Sequence, residues 1–388
     1  MLWRGGASRW VAIVAAACLC LLASCGGDAE PETPAVVTES PGPPAGRSTA
    51  PRLSVSGTHL VDQGGKPVQL NGVNRTSAEF PCALGEGIFD GPTDEGSVAA
   101  MVSWHAHAVR LPLNTHCWLG EKEIDPAFAG ERYQAAVKTY VARLEAAGLN
   151  VILDLHLSAP GSDNSIGETL KMPDAEHAVP FWQSVAKQYG RDTAVMFDLF
   201  NEPYEVSWEC WRDGCEIEPY KDINRYQAAG MQRLVTTVRD AGAKNVLVLS
   251  GINWAGDLTQ WKQFMPNDPL HRLVAGWHIY NFSIEGECEL LECLRLTQEG
   301  VGAAAPILIS ELGEDDCKHS FVDQVMTLAD DAGIGYLPWS WGEWVANCEG
   351  GPLRGSERDG GPNLIRNYDG TPTSYGVGVR DHFVSRFR

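Results

Sequence analysis

Val195-Met196-Phe197-Asp198-Leu199-Phe200-Asn201-Glu202-Pro203 is a short, nearly continuous apolar run that ends in a carboxylate and a proline. Such a run suits a strand covered on both faces, and therefore a parallel sheet flanked by helices. Seven other runs share its character, at 68–73, 108–113, 151–155, 246–249, 273–277, 307–310 and 335–339. Amphipathic stretches separate them, among them 133–147, 178–189, 223–241 and 321–332. Gly148, Gly190, Gly242 and Gly333 stand where such helices would end, a common place for glycine. Eight strand–helix alternations and a last helix near 375–387 predict an α/β fold, a single (β/α)8 TIM barrel. No glycine-rich phosphate loop follows the first strand, which disfavours a dinucleotide-binding sheet.

A closed barrel turns the C-terminal ends of its strands toward one mouth. Those ends carry Arg110, His156, Asn201, Glu202, His278, Tyr280, Glu311 and Trp339. A lone histidine or arginine there is commonly structural. Two glutamates that each close an apolar run are different, because a buried carboxylate is expensive without a purpose. A carboxyl pair of this kind suits glycoside hydrolysis, in which one group stays protonated and the other ionised. Arg110 and Tyr280 are placed to keep Glu311 ionised, while desolvation would keep Glu202 protonated. Asn201 is placed to bond a sugar 2-hydroxyl, and Trp339 to floor the ring.

These motifs resemble glycoside hydrolase family 5, the cellulase family. The resemblance lies in Asn201-Glu202-Pro203, His278-Ile279-Tyr280, Ile309-Ser310-Glu311 and Pro338-Trp339-Ser340-Trp341, together with Leu70-Asn71-Gly72-Val73-Asn74, the arginine of Val109-Arg110-Leu111-Pro112 and the histidine of Leu153-Asp154-Leu155-His156. It spans roughly residues 53–388. It implies a (β/α)8 barrel and a retaining mechanism with Glu202 as acid/base and Glu311 as nucleophile. It assigns substrate contacts to Arg110, His156, Asn201, His278, Tyr280 and Trp339, and a cis Trp339–Ser340 peptide. No cofactor or metal is called for. The expected substrate is a β-linked oligo- or polysaccharide, foremost a β-1,4-glucan. Mannan, β-1,3-glucan and glycolipid are alternatives, as is a non-catalytic carbohydrate-binding protein. Trp118, Trp208, Trp211, Trp254 and Trp344 fall on βα loops, where they would floor further sugar subsites or pack beneath the loops.

The remaining chain fits an exported protein. Arg4 and Arg9 precede an apolar stretch from Trp10 to Ala23, and Leu22-Ala23-Ser24-Cys25 resembles a lipoprotein cleavage site with Cys25 lipidated. Residues 1–25 are therefore read as a signal, 26–51, with six prolines and no aromatic residue, as an extended tether, and 52–388 as the catalytic domain. The expected location is the cell surface, as a lipid-anchored monomer, with a secreted protein released by an ordinary cleaved signal as the alternative. A net charge of −20 excludes nucleic acid as a partner. Eight cysteines lie beyond the signal, and the expected bridges are 210–215, 288–293, 82–117 and 317–348. His105-Ala106-His107 precedes a strand on the side away from the mouth and is set aside as a metal site. Glu314-Asp315-Asp316 is read as a solvated acidic loop rather than a Ca²⁺ site. Glu205, in the loop after Glu202, ranks below it as an acid. The absence of a Gly-x-Ser-x-Gly elbow disfavours a serine esterase.

Overall fold

The computed structural model describes residues 49–76, 78–161, 169–221, 223–284, 289–343 and 362–387. The signal, Cys25, most of the tether, Cys288, Cys348 and Trp344 lie outside the described residues. Eight parallel strands form one sheet in chain order: β1 Gly72–Asn74, β2 Ala108–Asn114, β3 Asn150–Leu157, β4 Val195–Asp198, β5 Leu247–Ser250, β6 Leu273–Tyr280, β7 Ile307–Gly313 and β8 Gly335–Pro338. A parallel bridge from Asn71 to Tyr336 returns the sheet to its start. The Asn74 amide reinforces that closure, donating at 2.8 Å to the carbonyls of Ser310 on β7 and Leu337 on β8.

Outside the strands run α1 Glu95–Ser103, α2 Glu131–Ala146, α3 Ala175–Tyr189, α4 Met231–Asp240, α5 Trp261–Phe264, α6 Leu290–Val301, α7 Ser320–Ala332 and α8 Ser374–Arg386. Residues alternate between two apolar layers. Ile152, Met196, Val248, Val274 and Leu308 fill the barrel interior, while Val151, Leu153, Phe197, Leu247 and Ile309 belong to the layer shared with the helices. A hairpin of Ser54–Ser56 and His59–Val61, unforeseen in the sequence, puts Leu60 into the inner cluster beside Leu53 and Leu70 and plugs the floor. Apolar side chains thus fill the bottom of the barrel and leave the top for chemistry.

Two expectations need correction. The first barrel strand begins at Gly72 rather than 68, because the Val68 amide is taken by the Leu60 carbonyl of the floor hairpin. The helix expected at 223–241 begins only at Met231: Tyr226–Gln227 pairs antiparallel with Glu216–Ile217. Gly230 ends that excursion, and a Cβ there would lie 2.2 Å from the Gly214 nitrogen. Gly190 ends its helix as expected, with a φ of −61°. Glycine is needed there because a Cβ would meet the Ala186 carbonyl at 2.4 Å.

Cys82 is bonded to Cys117 and Cys210 to Cys215, as expected. The first bridge ties the loop after β1 to the loop after β2 at the rim of the mouth. Cys293 and Cys317 are also disulfide-bonded, and their expected partners lie outside the described residues. Titration of the denatured domain lacking Cys25 should accordingly find no reactive thiol; several would contradict the four-bridge scheme.

Candidate active site

The centre of the site is Arg110, fully buried on β2. Its Nε donates to Asp198 Oδ2 at 2.9 Å, and its Nη1 to Asn74 Oδ1 at 3.0 Å and Glu311 Oε1 at 2.6 Å. Its Nη2 donates to Asn201 Oδ1 at 2.7 Å and lies 3.0 Å from Asp154 Oδ2. Burial opposes its charge, but Asp154, Asp198 and Glu311 outweigh that and hold the guanidinium above its ordinary pKa. The planar fork reaches five groups on four strands and strand ends, which a lysine cannot do.

Glu311 sits on β7 with both oxygens engaged: Oε1 accepts from Arg110, and Oε2 accepts from the Tyr280 hydroxyl at 2.7 Å. Glu202, just beyond β4, has a different environment. Burial raises its carboxyl to about 7 against the opposing pull of His156 and Arg110. It shares a hydrogen bond with His278 Nδ1 at 2.8 Å, and burial keeps that imidazole neutral, its pKa lowered to about 3. A register shift between Trp277 and His278 on β6 sets His278 opposite Glu311. One oxygen from each glutamate and the His278 nitrogen all lie within 4.8 Å of one another. Among the described residues this is the one trio of His, Cys, Asp or Glu close enough to share a cation.

The other expected residues surround this pair. Asn201 fixes its Oδ1 on Arg110, which leaves its amide nitrogen as the donor. His156 shares a 2.6 Å hydrogen bond with Asp154 Oδ2, is kept neutral by burial at about 4, and stacks on Trp339 with ring centroids 5.6 Å apart and planes 17° from parallel. The Trp339–Ser340 peptide is cis. The structure thus brings all eight expected residues into one cluster. Asn74, Asp154 and Asp198, which hold Arg110, were not singled out in the sequence.

Trp118, Trp208 and Trp211 are buried beneath the loops and cannot floor a subsite. Trp254 is different, 50% exposed and stacked on Tyr204 at 4.8 Å and 9°. Its amide donates to the Pro203 carbonyl at 2.9 Å, directly after Glu202. The consecutive residues Asn253, Trp254 and Ala255 are all left-handed (φ 54°, 53° and 59°), a costly arrangement for residues with a Cβ. The Glu314-Asp315-Asp316 reading also needs revision. Glu314 and Asp315 are buried, and Glu314 Oε2 accepts from the amides of Phe321 and Val322 in the first turn of α7. His107 packs edge-on to Phe387, at the opposite end of β2 from the mouth. Glu205 pairs with Lys171 at 2.7 Å on the loops.

Among proteins of known activity, the chain is 22% identical over 339 residues to Endoglucanase E-5 of Thermobifida fusca, covering 81% of this chain and 63% of that protein. It is also 22% identical over 319 residues to a mannan endo-1,4-beta-mannosidase of Streptomyces lividans, covering 77% and 69%. The chain spans about half to two thirds of the length of the endoglucanases it matches. Among solved structures, Cellulase Cel5C_n superposes with a TM-score of 0.62 at 20% identity, covering 88% of this chain and 94% of that one. The sequence model of the cellulase family matches residues 61–344, most of the barrel and both glutamates. The chain belongs to the cellulase family, glycosyl hydrolase family 5.

Proposed function

We propose that residues 52–388 hydrolyse a β-linked glycan with retention, Glu311 acting as nucleophile and Glu202 as acid/base. One observation carries this reading: two carboxyl groups with oxygens within 4.8 Å occupy opposed environments, Glu311 between a cation and a phenol, Glu202 partly buried and raised to about 7. Retaining enzymes hold the pair about 5–5.5 Å apart, whereas inverting ones need about 6.5–9.5 Å to admit a water. Glu311 attacks the anomeric carbon while Glu202 gives its proton to the departing oxygen. Glu202, now ionised, takes a proton from water, which attacks the same carbon and releases Glu311. The Asn201 amide would bond the 2-hydroxyl during both steps, and neither step requires a metal. Following product configuration by NMR over the first turnovers tests the reading; initial release of the α-anomer would defeat it.

For substrate we infer a β-1,4-glucan. The similarity to endoglucanases supports this, and the similarity to a mannosidase keeps β-mannan as the second reading. Rates on a panel of β-glucans, mannan and glycolipids, with products sized, decide between them. Export, lipidation of Cys25 and the tether of residues 26–51 belong to the same proposal. Two tryptophans should separate binding from chemistry. Trp339 lines the mouth against His156, so Trp339→Ala is expected to lower kcat about tenfold or more in a folded protein. Trp254 floors the side where Glu202 sheds its proton, so Trp254→Ala should raise KM for long oligosaccharides about tenfold and barely alter turnover of aryl glycosides. An unchanged kcat in the first variant would remove Trp339 from the site.

A further inference from the structure

Tyr280 is held by an arrangement that the two-carboxyl mechanism does not itself require. Its hydroxyl donates to Glu311 Oε2 at 2.7 Å, so the ring must lie across from β6 to β7. Its register partner on β7 is Gly313, where a Cβ would sit 2.7 Å from Tyr280 Cε1 and 3.0 Å from Cδ1. The ring therefore occupies the space that any other residue at 313 would fill. Phe282 stacks on Tyr280 with centroids 5.1 Å apart and planes 25° from parallel. Beside the ring, Asn281 and Asp315 form a reciprocal pair across the ends of the two strands. Asn281 Nδ2 donates to Asp315 Oδ1 at 2.9 Å, and the Asp315 amide donates to Asn281 Oδ1 at 3.1 Å. Asp315 is buried, and it belongs to the loop that Glu314 fastens to the start of α7.

We propose that the Asn281–Asp315 pair is a latch between the ends of β6 and β7 that sets the Tyr280–Glu311 hydrogen bond, which makes Asn281 and Asp315 positioning residues for the nucleophile. The proposal rests on Glu311 being the nucleophile. The hydroxyl–carboxylate bond is short and charge-assisted, so a small splaying of the two strand ends weakens it steeply. The latch sits one residue beyond Tyr280 and two beyond Gly313, where splaying would begin.

Rescue and a double-mutant cycle test this, with dinitrophenyl β-cellobioside as substrate. Asn281→Asp sets two carboxylates against each other and should lower kcat/KM about tenfold, the scale of one hydrogen bond to a charged group. The exchange Asn281→Asp with Asp315→Asn rebuilds both bonds, the side-chain one with donor and acceptor reversed and the residue 315 amide still donating to the residue 281 oxygen, and should recover to within about threefold of the starting protein. In a Tyr280→Phe background, Asn281→Asp should cost no more than about twofold, because the bond it disturbs is already gone. Asn281→Ala serves the same cycle without added charge if the aspartate variant fails to fold. A loss that persists undiminished without the Tyr280 hydroxyl, or a folded exchange variant that stays slow, overturns the latch and leaves Glu311 as nucleophile. A Tyr280→Phe variant with full activity would defeat the reading of the Glu311 site as well as the latch.

Discussion

Glu311→Ala is expected to lose turnover on every substrate, by at least about four orders of magnitude, while Glu202→Ala keeps activity toward glycosides with excellent leaving groups. The asymmetry follows from the two environments. Without an added nucleophile, no other group would take the place of the Glu311 carboxylate between Arg110 and Tyr280. A dinitrophenolate, in contrast, departs without a proton, so the first step survives the loss of Glu202 and only the second slows. Azide should speed the Glu202 variant and give a β-glycosyl azide, because it attacks the glycosyl-enzyme from the face that Glu202 serves. In the Glu311 variant azide would enter the vacated nucleophile space and give the α-azide. Reversed azide configurations would exchange the two roles. Wild-type kcat/KM should fall on the alkaline side as Glu202 ionises, with a midpoint near its raised value of about 7, and Glu202→Gln should abolish that limb.

The barrel was legible because parallel strands buried on both faces are continuous in apolar residues, and eight such runs have few other ways to close. The helix start near 223 was misread because Tyr226 and Ile223 continue the apolar spacing of Leu234 and Val238. The antiparallel pairing that claims Tyr226 joins it to Ile217 through strands of two residues each, too short to leave an alternating pattern in the sequence. The candidate site residues were legible as charges and rings at strand ends. Asp154 and Asp198 were passed over although each interrupts an apolar run, at Leu153-Asp154-Leu155 and Phe197-Asp198-Leu199. Their spacing carried the signal. Ile152 and Met196 fill the inner cluster, so residues two further along each strand also point inward, and there they meet Arg110. The Trp254 platform was only half legible, since sequence placed five tryptophans on loops and gave no means of telling exposed from buried.

Arg110→Met should be the most destabilising single change in the site, lowering unfolding free energy at pH 8 by about 3–5 kcal/mol, the usual cost of breaking a buried charge cluster from one side. Three carboxyl groups contact this one cation. Burial already raises Asp154 to about 7 despite Arg110, and raises Asp198 well above its ordinary value. Without the guanidinium both move higher still. The sign of the pH dependence follows. A carboxyl whose folded pKa exceeds its unfolded value of about 4 costs nothing below that value. The cost then grows as pH rises toward the folded pKa. The starting protein bears the same cost at Asp154 up to its own raised value of about 7, so the variant's added deficit from that group should open near pH 7 and grow toward alkaline pH, as urea unfolding at several pH values would show. A deficit greatest in acid would mean that Arg110 acts through packing rather than charge. Arg110→Lys should recover part of the stability, because an ammonium still neutralises the cluster. It should not recover activity, since a point charge cannot hold Asn201 and Glu311 at once, and those are the two groups that the fork of Arg110 aligns.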